Sequence, residues 1–283
     1  MLMEKQSITT DKIIKPDFSK KTGREFLAFY LQTKFKQILQ RDKKAETPLF
    51  LEVNPNFISK FSRRLIEQPQ KRILIGVTGE SASGKTTICR CIKKTSIDLN
   101  FPLEYLSIDN YFNDISALIK KYGTFDALRD NGYDVDAPEN FQLELLKEHL
   151  IKLSNGENIM APEYQINGTG VSVPDSIPIS AEKLIVVEGM AAMYPGIRDI
   201  FDVKIYIDID PKIQKKWFLQ RAQKRNQDEE NALKHWDYVT EAAKKHIRPS
   251  KNEADLIING AASLEYFSQI IEYMHSVTNC FVG

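Results

Sequence analysis

Residues 72–88 read RILIGVTGESASGKTTI. An apolar, β-rich run stops at Gly79, four residues intervene, and Gly84, Lys85 and Thr86 follow. The first half has the look of a strand buried on both faces of a parallel sheet. The second half fits Gly-x-x-x-x-Gly-Lys-[Ser/Thr] in full. The glycines let the backbone turn tightly and aim its N–H groups at a phosphate. The helix that follows adds partial positive charge at its N-terminus. Lys85 supplies a point charge for the β- and γ-phosphates, and the Thr86 hydroxyl suits a Mg²⁺ ion. Ser81, Ser83 and Thr87 belong to the same nucleotide-binding group. A strand before and a helix after this motif predict a phosphate loop that binds a nucleoside triphosphate.

Working outward, "LEYLSID" (103–109), "KLIVVEG" (183–189), "VKIYIDID" (203–210) and "ADLIING" (254–260) read as further strands. Helical stretches lie between and after them, at 140–153, 211–226, 229–247 and 261–275. This alternation predicts an α/β fold with a parallel sheet covered on both faces. Residues 1–70 read differently. "REFLAFYLQTKFKQILQR" (24–41) and "NPNFISKFSRRLIEQ" (54–68) carry apolar residues at helical spacing, with Asn56 as a cap. They predict a helical N-terminal extension, 1–70, ahead of a P-loop domain, 71–283. The extension either packs on that domain or on a partner subunit, or serves a protein interaction.

In an open parallel sheet, ligands sit beyond the carboxyl ends of the strands. Asp109 closes "LEYLSID" and Glu188 closes "LIVVE". If those strands flank the phosphate-loop strand, one carboxylate orients and deprotonates an acceptor hydroxyl, and the other organises Mg²⁺. Asp109 is also counted with Thr86 and Glu188 as an oxygen near that ion. "KKWFLQRAQKRN" (215–226) places Arg221 and Arg225 on one helix face. A lid of this kind brings a guanidinium onto a transferring phosphoryl group, Arg221 in contact and Arg225 in support. The alternative is a solvated basic face.

Bulk properties exclude other classes. The 283 residues hold 42% hydrophobic and 27% charged side chains, with a formal net charge of +1. Nothing in that balance favours nucleic acid or an anionic membrane. No apolar run approaches a membrane span, and "MLMEKQSITTDKIIKPD" lacks the apolar core of a signal peptide. Cys89, Cys91 and Cys280 are too few and too scattered for a disulfide framework. Together these features predict a cytoplasmic protein with homo-oligomerisation left open. A GTPase should carry Asn-Lys-x-Asp and a transport ATPase Leu-Ser-Gly-Gly, and neither occurs.

The segment from 72 to about 260 resembles the uridine kinase, phosphoribulokinase and bacterial pantothenate kinase superfamily of P-loop kinases, nearest to uridine kinase-like proteins. "SIDNYF" (107–112) is similar to the family's Asp-x-[Phe/Tyr]-[Phe/Tyr] segment. "YDVDAPENFQLELL" (133–146) is similar to Asp-x-Pro-x-x-Phe, and "APEYQ" (161–165) to the Pro-x-Tyr step. "IVVEGMAAMYPGIRDIFDVKIYIDID" (185–210) and "HIRPSKNEADLII" (246–258) follow the family's later strands. The resemblance implies ATP and Mg²⁺ as cofactors, with Lys85, Asp109 and Arg221 catalytic. It also implies acceptor contacts from Asp136, Tyr164 and Tyr111. Two departures bear on the acceptor. Uridine kinases follow Pro-x-Tyr with a Phe and a His, whereas here Ile166 stands in the aromatic place and no histidine follows. Trp217 and Arg221 look more like the lid helix of bacterial pantothenate kinase. The resemblance therefore implies a uridine- or cytidine-type acceptor, with pantothenate or another hydroxylated metabolite as the alternative. A domain that binds ATP without turnover, as sensor or scaffold, is the reading from a different class.

Overall fold

The computed structural model describes residues 19–100, 102–165 and 167–263. Its main sheet has six strands: β1 (Phe50–Val53), β2 (Ile73–Gly79), β3 (Leu103–Ser107), β6 (Leu184–Glu188), β7 (Val203–Asp208) and β8 (Leu256–Asn259). Their order is β1-β8-β7-β2-β6-β3. Five run parallel, and β1 joins the edge antiparallel to β8. All residues of β2 and β6 are buried. That is why both read as unbroken apolar runs. Alternate residues serve opposite faces. Ile73, Ile75 and Val77 enter one core cluster, whereas Leu74, Ile185 and Val187 enter the other.

Helices α1 (Lys21–Asp42), α2 (Phe57–Glu67) and α3 (Lys85–Asp98) cover the first face. Leu27, Leu31 and Phe35 of α1 and Phe57, Phe61 and Leu65 of α2 recur every fourth residue and are buried against the sheet. Helix α6 (Leu143–Ser154) covers the other face through Leu146, Leu150 and Leu153. The N-terminal stretch is not wholly helical, because residues 50–53 form β1. Pro48 and Pro55 bracket this short run and mark its ends. Asp42, 2% exposed, accepts the Leu49 and Phe50 N–H groups at 2.8 and 2.9 Å, anchoring the strand's start. Asn56 stands at the N-cap of α2, but its side chain makes no capping bond. The Asn54 side chain instead accepts the Asn56 N–H at 3.0 Å.

Between β3 and β6 the chain forms elements that the apolar pattern does not predict. Short helices α4 (Ser116–Tyr122) and α5 (Phe125–Asp130) precede α6, and the antiparallel hairpin β4 (Ile159–Tyr164) and β5 (Ser172–Ile179) follows it. After β7, α7 (Pro211–Lys224) and α8 (Glu229–Ala242) lead into a π-turn at 243–247. The residues expected as a helix at 261–275 lie mostly outside the described residues, as does Cys280. Cys89 is buried and Cys91 half-buried on α3.

Arg64 of α2 bonds both oxygens of Asp202, at 2.5 and 3.0 Å, and Asp202 also accepts the Leu74 N–H at 3.0 Å. The pair ties α2 to the start of β2 and β7. Removing the guanidinium leaves a largely buried carboxylate without its cation. Arg64→Ala should therefore cost about 3 kcal/mol in urea unfolding. A loss below about 1 kcal/mol would show that the pair does not fasten these helices to the sheet.

Candidate active site

The loop from Glu80 to Gly84 joins β2 to α3. Gly79 has φ +150°, and a Cβ there would lie 2.5 Å from the Ile207 carbonyl. Gly84 has φ +101°, and a Cβ would lie 2.9 Å from the Gly260 carbonyl. Both positions thus need glycine, for conformation and for space. Lys85 opens α3 and is 9% exposed. Its Nζ donates to the Gly79 and Glu80 carbonyls at 2.7 and 2.9 Å. Burial pushes its pKa down, while the charges of Glu188 and Asp109 pull it up. Beside the loop opens a cleft of about 560 Å³. Ser81, Ser83, Gly84, Lys85, Thr86 and Thr87 contribute to its lining, as do Asp109, Glu188, Trp217, Arg221 and Arg225.

Glu188 ends β6, which neighbours β2 directly. Asp109 is less direct than its sequence suggests. Strand β3 lies beyond β6, so the two acids share one side of the loop strand and do not flank it. Nor does Asp109 belong to the strand. The β3–β6 ladder runs out at the pair Ser107 and Glu188, and the chain turns into a 3₁₀ turn at Ile108–Tyr111. Burial first, and the Glu188 charge second, push the Asp109 carboxyl up to about 6, against the pull of Lys85. Tyr105 donates its hydroxyl to Glu188 Oε2 at 2.7 Å. Burial, the Glu188 charge and that bond hold the tyrosine far above its usual pKa. Thr86, Asp109 and Glu188 offer only hard oxygens. They fit Mg²⁺, which usually takes one or two carboxylates and completes its shell with phosphate and water.

Helix α7 leans on the loop. Arg221 Nη2 donates to Ser81 Oγ at 2.7 Å, and Gln214 Nε2 donates to the Ser81 carbonyl at 2.9 Å. Arg248 bonds the Glu80 carboxylate at 2.8 and 3.2 Å. The sequence reading missed Gln214 and Arg248. Gln214 precedes Arg221 by two helical turns on one face, and that spacing is the signal in the sequence; the structure leaves it 6% exposed. The Arg221 guanidinium lies 5.5 Å from the Phe218 ring, which packs against His235 and Trp236 of α8.

The three residues expected at the acceptor separate. Asp136, 6% exposed, lines a neighbouring cavity of about 490 Å³ with Arg129, Tyr133, Tyr238, Lys244 and Lys245. Burial, then Asp134, push its carboxyl up to about 6. The Asp136 charge adds to the rise at Asp109, and the Lys85 charge pulls Asp136 down, so the two sites feel each other's charge although Asp136 lines only the second cavity. Tyr164 lies outside the lining of both, its ring 5.2 Å from Phe112 in a stack that continues to Phe141. Tyr111 is not at either surface. It is fully buried in the α6 core, and its hydroxyl bonds His149 Nδ1 at 2.8 Å. The tight turn after Ser107 sends Asp109 outward and Tyr111 inward. Above the second cavity, Lys234 and Tyr238 bond Asp130 at 2.9 and 2.6 Å. Lys245 and His246 bond Asp134 at 2.9 and 2.8 Å.

The raised Asp109 pKa has a consequence for stability. Its unfolded value is 3.8 and its folded value about 6. Between them the folded state binds the proton more tightly, so stability falls as pH rises, and the whole cost persists above pH 6. Asp109→Asn removes that cost. Its gain in Tm over the wild type should be roughly 2–4 °C larger at pH 7.5 than at pH 5. Equal gains at both pH values would refute the shift.

The model of the phosphoribulokinase / uridine kinase family matches residues 74–264. A uridine kinase of Staphylococcus epidermidis is 32% identical over 188 residues, covering 65% of this chain and 86% of that one. A uridine kinase of Schizosaccharomyces pombe is 29% identical over 197 residues, covering 68% of this chain and 41% of that one. Uridine kinase-like protein 5 of Arabidopsis thaliana is 28% identical over 206 residues, covering 72% and 42%. The chain thus spans about two fifths of the length of these yeast and plant relatives. A crystal structure from Silicibacter sp. TM1040, provisionally described as a fructose transport system kinase, is alike in fold. Its TM-score is 0.53 at 19% identity, over 70% of this chain and 95% of that one. With the family model matched from β2 through β8, this chain belongs to the phosphoribulokinase / uridine kinase family.

Proposed function

We propose that the protein transfers the γ-phosphoryl group of ATP to a hydroxyl of an uncharged nucleoside of the uridine or cytidine type. One observation carries this reading. A buried lysine of the phosphate loop and two carboxylates line one cleft, and Asp136, on the wall of a second cavity, feels the Lys85 charge. Lys85 and Arg221 hold the phosphates in line. Asp109 receives the acceptor's proton as the new O–P bond forms and the bond to the ADP oxygen breaks. Thr86, Glu188 and Asp109 would hold Mg²⁺, which neutralises charge on the phosphates when bound. Asp136 accepts hydrogen bonds from the acceptor hydroxyls, and its burial makes them costly to forgo.

The second cavity favours a neutral acceptor. Arg129, Lys244 and Lys245 on its wall are matched by Asp134, Asp136 and Glu241. Each of the three cations is already paired, Arg129 with Asp126, Lys244 with Glu241 and Lys245 with Asp134. A carboxylate or phosphate on the acceptor would have to compete with these surface carboxylates for a cation. Tyr133 and Tyr238 give the wall aromatic surface suited to a planar base. The relatives named uridine kinase support the same acceptor class.

ADP release should be measured with Mg-ATP against uridine, cytidine, pantothenate and ribulose 5-phosphate, with Lys85→Ala as the blank. A nucleoside-dependent rate is expected. Asp109→Asn should lower it 10²- to 10⁴-fold while ATP stays bound. Arg221→Ala should reduce turnover more than ATP affinity. A rate with pantothenate alone would overturn the acceptor class. Bound ATP with no rate on any acceptor would favour a nucleotide sensor.

A further inference from the structure

Glu188 is 7% exposed, and Lys85 and Asp109 are its charged neighbours. A buried carboxylate beside a buried ammonium ordinarily closes into an ion pair. Here Lys85 bonds the Gly79 and Glu80 carbonyls, and Glu188 bonds a tyrosine instead. Tyr105 pairs in register with Val186, and Glu188 lies two residues further along β6 on the same face. Its hydroxyl therefore reaches along the sheet to Glu188 Oε2 at 2.7 Å. A phenol is a neutral donor, so it fixes one carboxylate oxygen without cancelling the charge. The Lys85 charge stays available to phosphate, and that of Glu188 to a cation.

We infer that Tyr105 is a positioning residue, holding Glu188 in the orientation that faces the cleft and so setting how strongly Mg²⁺ promotes nucleotide binding. This rests on the reading that Glu188 helps hold the ion. The bland role for Tyr105 is packing, since its ring also lies against the core beneath α3. Tyr105→Phe separates the two roles, because the ring remains and only the hydroxyl is lost.

The test is calorimetric titration of ADP into the full chain, with Mg²⁺ and with EDTA at matched ionic strength. In the wild type Mg²⁺ should tighten ADP binding. In Tyr105→Phe that gain should shrink about tenfold, the usual effect of removing a partner of a metal ligand. Glu188→Gln should abolish most of the gain, and adding Tyr105→Phe to it should change nothing further. A wild-type gain in Tyr105→Phe overturns the inference alone, leaving the Glu188 reading intact. Equal loss of ADP affinity with and without Mg²⁺ also overturns it, in favour of packing. No Mg²⁺ effect in the wild type overturns both the inference and the reading beneath it.

Discussion

Among the described glycines, Gly260 leaves a side chain the least room, where it meets the phosphate loop. A Cβ on Gly260 would stand 1.8 Å from the Ser83 carbonyl, a distance no side chain survives. The backbone after β8 therefore packs directly on the loop's rear. Gly260 is held there by its own N–H, which donates to the Asp208 carbonyl at 2.7 Å. Asn259, one residue earlier, donates its N–H to the Leu49 carbonyl at 2.8 Å and its side-chain amide to that of Pro48 at 3.2 Å. A line of contacts thus runs from the start of β1, through the end of β8, to the turn that lines the cleft. The N-terminal elements buttress the loop without reaching the cleft.

Electrostatics give the cleft its second constraint. Two carboxylates and a lysine are packed where water is scarce, and both Asp109 and Lys85 are shifted towards neutrality by burial. The cationic groups rest on weak partners. Lys85 sits on two carbonyls, and Arg221 sits on the Ser81 hydroxyl. Neutral oxygens make shorter-lived claims on a cation than carboxylates do. A site arranged this way gives up little on exchanging a carbonyl for an anion. Glu80 shows the contrast. Its carboxylate lies in the loop itself, yet Arg248 occupies it from outside the cleft.

How much of this was legible in the sequence depended on how far each element is buried on both sides. Strands β2 and β6 announced themselves as unbroken apolar runs, and with the glycine spacing they carried the fold. β1 is four residues long and exposed at Leu51 and Glu52, so its pattern was too short to separate from the helices around it. The β4–β5 hairpin has Pro162, Pro174 and Pro178 within its strands, which hides strand character. "SIDNYF" shows a different limit. Its residue types were informative, but a 3₁₀ turn decides which of them faces the cleft. Asp109 does, and Tyr111 turns into the core against His149. The bond from Tyr105 to Glu188 joins neighbouring strands 83 residues apart in the chain, and no local pattern encodes such a meeting.

Helices α7 and α8 divide the work between the two cavities, and this bears on the conflicting likenesses in the sequence. α7 serves the phosphate loop and its cleft, Gln214 through the Ser81 carbonyl and Arg221 and Trp217 on the cleft wall. α8 and the π-turn attend to the other side, through Tyr238, Lys245 and His246. Phe218 packs between the two helices. Trp217 is the residue that most resembles a pantothenate kinase, but it lines the phosphate cleft and not the cavity that Asp136 enters. Its likeness therefore speaks to how the nucleotide end is built and carries little weight on the acceptor. On the proposed reading, acceptor choice rests on the wall that α5, its following loop and α8 share, where cations and carboxylates already pair. A change of substrate class would first have to unbalance that wall.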